Sequence, residues 1–359
     1  SQAMKTIANP STHGRNILGN AILMAANGMI PFIGKGGMKS LKTTFNMLAN
    51  KTNKELGERL AEYTELGIIG SGVQQNVIKN NLKKYAKDPD AALLSSISKD
   101  ENKVLGAAKV IPKKVTELYQ AEDDIFKIAH YEKTLAALKK SPKYKDQPIE
   151  VIKDAAAQLT RDMMPNYNLV PKAFKNLRAM PVGDFMAFPA EMTRVTKNLV
   201  KYSVQDLASG DATLMKEGAK RLAGFTTMGY APLYFSEKSR IANGITDDQA
   251  EALENIGKDW EFNQDKIYLS PITKDKNNHL GVKYFNLGPI DPFSYLKTGA
   301  QTAHALIANG IMDDDAIAYE TDKLALSTLD QVFGPFLAPS MVTEALVTAI
   351  APGQYGDSL

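Results

Sequence analysis

The 359 residues include carboxylates, lysines and four histidines that could do chemistry, but no cysteine. Thiolate nucleophiles, thiolate zinc sites and disulfides are therefore excluded. The histidines are His13, His130, His279 and His304, and none has a second ligand-type residue at metal-binding spacing. This scatter favours structural roles for the histidines over catalytic ones.

Three glutamates in helical patterns could act as a general acid, since one helix-borne glutamate in a cleft is enough for some peptidoglycan-cleaving enzymes. They are Glu191, Glu217 and Glu344. Glu191 follows Phe188-Pro189-Ala190, where the ordinary role of a glutamate is to cap the first turn of a helix. We therefore predict no catalytic residue and no enzymatic activity, with a peptidoglycan-cleaving domain as the alternative.

Phosphate-loop and metal motifs are both incomplete. A phosphate loop around Gly34-Lys35 would need glycine at position 29 and serine or threonine at position 36, but the sequence has Met29 and Gly36 there. The acidic runs at 122–124 and 313–315 lack the repeated Glu-x-x-His pattern of carboxylate metal sites, and the second precedes an apolar helical pattern that it would cap. The sequence thus predicts neither a cofactor nor a metal.

A lysine series in the first half of the chain has two interpretations. It is either a solvated helical surface or a surface that neutralises nucleic-acid phosphates without reading sequence. The candidate nucleic-acid contacts are Lys79, Lys83, Lys84, Lys113, Lys114, Lys139 and Lys140. They make a non-specific nucleic-acid-binding module a further alternative function.

The segment from residue 16 to residue 34 carries no charge, and its asparagines Asn16, Asn20 and Asn27 fall within about 40° on a helix. Such a helix is either buried inside a protein assembly or able to enter a bilayer with an amide stripe towards partner helices. We expect burial in the assembly, with membrane binding only after release. The predicted membrane or assembly contacts are Ile17, Leu18, Ile22, Leu23, Met24, Met29, Ile30 and Phe32.

The hydrophobic periodicity predicts a mainly α fold, a multi-helix assembly with one β-hairpin near residues 266–287. The hairpin is indicated by two runs rich in aromatic and β-branched residues around a polar turn. The predicted helices cover 38–48, 54–67, 74–87, 113–140, 148–163, 188–209, 211–224, 246–256, 294–308, 313–333 and 340–349, besides the apolar segment.

Charge is divided unevenly along the chain. Residues 1–180 hold 28 Lys and Arg against 17 Asp and Glu, a net +11, whereas the remainder is net −8. We predict a basic helical region at 1–164 with the apolar N-terminal helix, a proline-rich hinge at 165–182, and an acidic helical region with the hairpin at 183–359. Opposite net charges suit self-association or docking to a neighbouring protein.

Several short segments resemble the large internal virion proteins of tailed bacteriophages, the ejection or inner-core proteins of short-tailed phages and large polyvalent relatives. The resemblance is carried by 9–16 leading to 25–28, by 119–127, by 180–183 with 188–191, by 284–287 with 291–292, and by 333–337 with 343–346. These patches span nearly the whole chain, but each is short.

The resemblance implies a structural module of a much longer polypeptide, packed in the virion interior near the portal and ejected ahead of the genome into the host cell envelope. The turn-rich last residues and the absence of an initiator methionine agree with this expectation, although a cloning remnant before Met4 is the alternative. The implied partners are the portal, other internal virion proteins and further copies of the chain, with phage DNA and the host membrane as additional contacts.

Overall fold

The computed structural model describes residues 10–29, 39–70, 75–88, 112–166, 183–256, 265–274, 280–287 and 293–333. Within these residues the chain is mainly helical, as the periodicity predicts. The helices are α1 (Pro10–Ala26), α2 (Lys39–Ala49), α3 (Asn53–Glu65), α4 (Gln75–Lys87), α5 (Pro112–Leu138), α6 (Ile149–Met163), α7 (Gly183–Ala208), α8 (Ala212–Ala242), α9 (Asp247–Ile256), α10 (Phe293–Ala308) and α11 (Asp314–Phe333).

The predicted hairpin is confirmed, and it consists of two short ladders. Strand β1 (Lys266–Tyr268) pairs antiparallel with β4 (Tyr284–Asn286), and β2 (Thr273–Lys274) pairs with β3 (Leu280–Gly281). Pro271 lies between the ladders and has no N–H to donate, so continuous pairing is interrupted there. The hairpin packs against α8, where Asn243 Nδ2 donates to Tyr268 O at 3.0 Å.

The apolar N-terminal helix ends within the uncharged segment 16–34, so the expectation that this segment is one helix is wrong at its C-terminal side. Gly28 adopts a positive φ of 66° and its N–H donates to Ala25 O at 2.8 Å. The N–H of Met29 donates to Met24 O at 3.0 Å, which completes a Schellman motif. The chain therefore leaves the helix after Ala26, and residues 30–34 lie outside the described residues.

Helix α8 is much longer than the predicted 211–224, and Gly224 does not end it. A Cβ at Gly224 would lie 2.2 Å from Ala25 O, so the missing side chain lets α8 cross α1 in close backbone contact. The helix continues through Pro232, which removes one helical hydrogen bond without ending the helix. Glycine here marks a helix crossing, which local sequence cannot distinguish from a helix stop.

We expect Gly224→Ala to destabilise the protein by about 1–3 kcal/mol through overpacking, because the obstructing atom belongs to the backbone. Gly19→Ala is the matched control: it lies in α1, has no atom within 4 Å of a built Cβ, and should gain up to about 1 kcal/mol from helix propensity. Urea unfolding of the two variants measures both effects. Equal effects of the two substitutions would contradict the close crossing.

The core is one hydrophobic cluster that draws on helices from both halves of the chain. Its large, fully buried side chains include Phe45, Tyr63, Phe126 and Phe225. Helix α7 packs against α6, α8, α10 and α11, and α8 also packs against α1 and α5. The division into basic and acidic regions stays a prediction, and most of the proposed hinge, residues 167–182, lies outside the described residues.

Candidate functional site

A cavity of about 1300 Å³ opens where α5, α6, α7 and the start of α8 come together with the turn that follows α1. Its cationic lining comes from α5, from the segment just after α5 and from α8. These residues are Lys133, Lys140, Lys143, Lys216, Lys220 and Arg221. The acidic lining is Asp206, Glu217, Asp313 and Asp314. Cations thus outnumber carboxylates around a water-accessible space.

Lys133 is the half-buried cation of this cavity, and its Nζ donates to Met29 O at 3.0 Å. The bond anchors the turn after α1 to α5. Burial lowers the pKa of Lys133 to about 8, and the nearby charge of Lys220 lowers it further, while Glu217 opposes the shift. The ammonium group is therefore charged at neutral pH but sits in a positive surrounding potential.

Two ion pairs occupy part of the cavity wall. Arg221, 6% exposed, donates from Nη1 to Asp206 Oδ2 at 3.0 Å. Burial raises the pKa of Asp206, and the adjacent guanidinium of Arg221 counteracts that shift. Lys220 Nζ pairs with Glu217 Oε1 at 2.6 Å one helical turn away. Arg221 and Lys220 thus already have carboxylate partners from the chain itself.

Behind the cavity lies a buried polar network centred on His130. Its Nε2 lies 3.2 Å from Asn27 Oδ1, and its Nδ1 lies 3.0 Å from Thr160 Oγ1 and 3.4 Å from Thr134 Oγ1. Asn27 Nδ2 donates to Leu23 O and Met163 O, so its Oδ1 is left to accept from a protonated Nε2. Burial, with the charges of Arg221 and Lys133, lowers the pKa of His130 to about 3. The imidazole is neutral and holds α1, α5 and α6 together.

Glu191 is held in a structural ion pair. It is 1% exposed and accepts from Arg194 Nε at 2.9 Å, from Arg194 Nη2 at 2.5 Å and from the backbone N–H of Asn166. The guanidinium also donates to the carbonyl oxygens of Arg161, Asp162 and Met164, at the end of α6. The expected first-turn capping role of Glu191 is wrong, because α7 begins at Gly183, about two turns earlier.

The other two candidate acids fall in different places. Glu217 lines the cavity in its pair with Lys220, and Glu344 lies outside the described residues. No described site therefore brings two of the three glutamates together. The prediction that none of them is catalytic stays a prediction.

The seven predicted nucleic-acid contacts do not form one surface. Lys79, Lys83 and Lys84 lie on α4, whereas 113–114 and 139–140 flank opposite ends of α5, about 39 Å apart at 1.5 Å per residue. Only Lys140 among the seven lines the cavity. Sequence reasoning missed Lys133, Lys216, Lys220 and Arg221 as partners of Lys140. The seven-residue spacing from Lys133 to Lys140 within the predicted helix 113–140 is the signal that would have linked those two.

The predicted membrane or assembly contacts lie mainly in the chain's own core. Ile22, Leu23 and Met24 are at most 3% exposed, and Leu18 and Met29 are partly buried against the same cluster. The side chain of Ile17 and residues Ile30 and Phe32 lie outside what the structure describes. No helix in the described ranges is both long enough and apolar enough to span a membrane. A membrane contact after release remains a prediction.

The acidic runs have structural partners. Asn20 Nδ2 donates to Asp123 Oδ1 at 2.5 Å, and Asp313 Oδ2 accepts from Ala316 N at 3.0 Å at the start of α11, as its predicted capping role requires. Asp124 is buried, its Oδ2 has no hydrogen-bond partner in the described part of the chain, and burial raises its pKa to about 7. Among the described residues no group of three or more His, Asp or Glu could hold a metal ion.

The comparisons with known proteins do not extend this picture. No protein-family profile matches the sequence, and no curated protein or solved structure is significantly similar to it. Functional inference therefore depends on the residues and their geometry.

Proposed function

We propose that the chain is a structural module of a large internal virion protein of a tailed bacteriophage, which packs near the portal and helps to deliver the genome across the host envelope. The phage assignment is supported by the short sequence resemblances given above. The assembly role is supported by one observation in particular, an exposed apolar surface on the second half of α8 and the hairpin that packs against it.

We call this the α8–hairpin surface and define it by Tyr230, Leu233, Tyr234, Phe235, Ile241, Leu269, Tyr284 and Phe285. Tyr234 is 58% exposed, Phe235 49% and Leu269 64%. The rings of Tyr234 and Phe235 are in edge-to-face contact at 5.5 Å, so the two aromatic side chains form one exposed unit. Single exposed apolar residues are ordinary, but five on the second half of α8 and three on the hairpin that packs against it are more than isolated exposure and are typical of a contact surface.

The placement of Glu191 also supports a structural role over a cell-wall-cleaving one. A general acid must reach the leaving group of its substrate, whereas Glu191 is enclosed and bonded to Arg194. The portal, other internal virion proteins and further copies of the chain are the proposed partners of the α8–hairpin surface. The host membrane is the proposed contact after ejection, and the predicted location is the virion interior.

The proposal is tested by the variant Tyr234→Ser/Phe235→Ser, measured by light scattering coupled to size exclusion. We expect the wild-type chain to self-associate or to bind a portal or core protein, and the variant to weaken that association at least tenfold. Losing roughly 100 Å² of buried apolar area is worth about 2.5 kcal/mol, so tenfold is a conservative threshold. The matched control is Tyr319→Ser/Leu326→Ser, which removes two exposed apolar side chains from α11.

A salt series separates this contact from one made by the opposed charges of the two halves. Apolar contacts persist as ionic strength rises, whereas contacts between surface charges weaken beyond the Debye length of about 8 Å at physiological salt. If association weakens as salt is added and is unchanged in the Tyr234→Ser/Phe235→Ser variant, the contact is made by opposite charges and not by the α8–hairpin surface. A chain that stays monomeric at low salt and binds no portal or core protein would overturn the proposal.

A further inference from the structure

We propose that the cavity between α5, α7 and α8 binds a ligand that carries several phosphate groups, through Lys133, Lys140, Lys143 and Lys216. The site goes beyond the proposed assembly role, because it lies at the first turns of α8 rather than on the α8–hairpin surface. Phosphate chains of this kind occur in a nucleic-acid strand and in free polyphosphates. The shared chemistry is a row of phosphate oxygens.

The first observation that supports a phosphate site is that four lysines converge on the cavity. Lys133 and Lys140 are two turns apart on one face of α5 and its end, Lys143 follows in the short 3-10 turn Pro142–Tyr144, and Lys216 projects from α8. Lys216 is distant in sequence from the other three lysines, but all four border the same cavity. Lysines that converge in this way repel one another, and a bound anion would offset that repulsion. Cations gathered around one water-filled space are suited to hold an anion.

The second support is that the carboxylates of the cavity are already engaged. Asp206 is bonded to Arg221 and Glu217 to Lys220. Asp314 Oδ1 accepts from Gln205 Nε2 at 2.7 Å, and Asp313 caps α11. Lys140 and Lys216 have no ion pair among the described residues. The cationic excess of the cavity is thus carried by lysines that the protein leaves exposed to a ligand.

The third support is the electrostatic potential at the cavity floor. The positive charge of Lys220 contributes to the lowered pKa of Lys133, and the charges of Arg221 and Lys133 contribute to that of His130. Both groups resist protonation partly because cations surround them. An anion in the cavity would relieve that repulsion.

The size of the cavity favours an extended ligand. About 1300 Å³ exceeds the range of about 300–1000 Å³ that is usual for drug-sized ligands. A single inorganic phosphate would fill only a small part of it. Several linked phosphates could reach lysines from both α5 and α8 at once.

The experiment measures binding of two probes, inorganic tripolyphosphate and a short single-stranded oligothymidylate, by titration calorimetry and by fluorescence anisotropy of a labelled oligonucleotide. The test variant is Lys140→Ala/Lys216→Ala. The control is Lys139→Ala/Lys238→Ala, which removes the same charge from exposed positions after α5 and on α8 that do not line the cavity. All four side chains are exposed, so both variants should fold as the wild type does.

We expect the test variant to weaken binding about tenfold and the control to weaken it less than about twofold. For the oligonucleotide, loss of two phosphate contacts should reduce the slope of log affinity against log salt by about 1.4. Binding of tripolyphosphate alone identifies a small polyphosphate as the ligand, and binding of the oligonucleotide alone identifies a strand. Equal losses in the two variants, or no binding of either probe at millimolar concentration, would overturn the proposal.

Discussion

Replacing Glu191 by alanine is expected to lower the free energy of unfolding by about 3–5 kcal/mol, the usual cost of breaking a buried ion pair. The carboxylate is 1% exposed and neutralises Arg194, whose guanidinium caps the last carbonyl groups of α6. Without Glu191, the carboxylate nearest to Arg194 in the described part of the chain is Asp162, whose Oδ1 lies 3.8 Å away, and the Asn166 N–H loses its bond to Glu191. One substitution therefore loosens the junction between α6 and α7.

The chain contains a matched control for this substitution. Glu217 and Lys220 also form a Glu-Lys/Arg pair at a spacing of three residues, but their side chains are 26% and 44% exposed. Glu217→Ala should cost no more than about 0.5 kcal/mol, because exposed pairs gain little over solvation by water. Denaturant unfolding of both variants gives the comparison. A loss below about 1 kcal/mol for Glu191→Ala would contradict the structural role.

A double variant tests the pairing itself. Glu191→Met/Arg194→Met removes both charges, so it should be less destabilising than Glu191→Ala, which leaves a cation without its partner. Glu191→Gln preserves the shape and some hydrogen bonds and should fall between alanine and wild type. If Glu191 were instead a general acid, Glu191→Gln would remove peptidoglycan turnover while leaving stability nearly unchanged.

The fate of Glu191 illustrates what the sequence could and could not predict. Local periodicity identified α7, and it placed the other described helices and the hairpin in the right regions, because an amphipathic pattern reports which face is buried. It could not show that Arg194 reaches the end of α6, since residues 161–164 lie 30 or more positions earlier. From local sequence alone, a glutamate just after a proline is therefore interpreted as a cap of the first turn of a helix.

Two glycines show the same limit of local sequence, because their effects on the helix depend on tertiary packing. Gly28 ends α1 with a left-handed turn, although the apolar pattern continues beyond it, whereas Gly224 sits inside α8 and only permits a close crossing. Both are glycines beside apolar residues, and the difference arises from the helix that packs on each. The cavity escaped prediction for a related reason, because spacing reveals which lysines share one helix but not which helices face one another.

The pH dependence of stability should reveal two buried groups that act in opposite directions. The folded-state pKa of His130 is lowered from 6.5 to about 3, so the unfolded chain binds more protons between these values. The contribution of His130 is present above about pH 6.5 and is lost as the pH falls. The folded-state pKa of Asp124 is raised from 3.8 to about 7, mainly by burial. Its contribution is present below about pH 3.8 and is lost as the pH rises.

The two effects nearly cancel in the wild-type protein. A shift of one pKa unit is worth about 1.4 kcal/mol, so between about pH 4 and pH 7 His130 should add about 3 kcal/mol of stability and Asp124 should remove about the same. Each group therefore masks the other in a simple pH titration of the wild type. Only removal of one group exposes the slope of the other.

We expect Asp124→Asn to become more stable relative to wild type as the pH rises from 4 to 7, by about 3 kcal/mol, because the cost of ionising a buried carboxyl group is gone. We expect His130→Gln to show the opposite trend by a similar amount, since glutamine can donate to Asn27 Oδ1 but cannot be protonated. Urea unfolding at several pH values measures both, and each variant is compared with wild type so that the remaining carboxylates contribute equally. If both variants kept the wild-type pH dependence, Asp124 and His130 would not be buried as the structure places them.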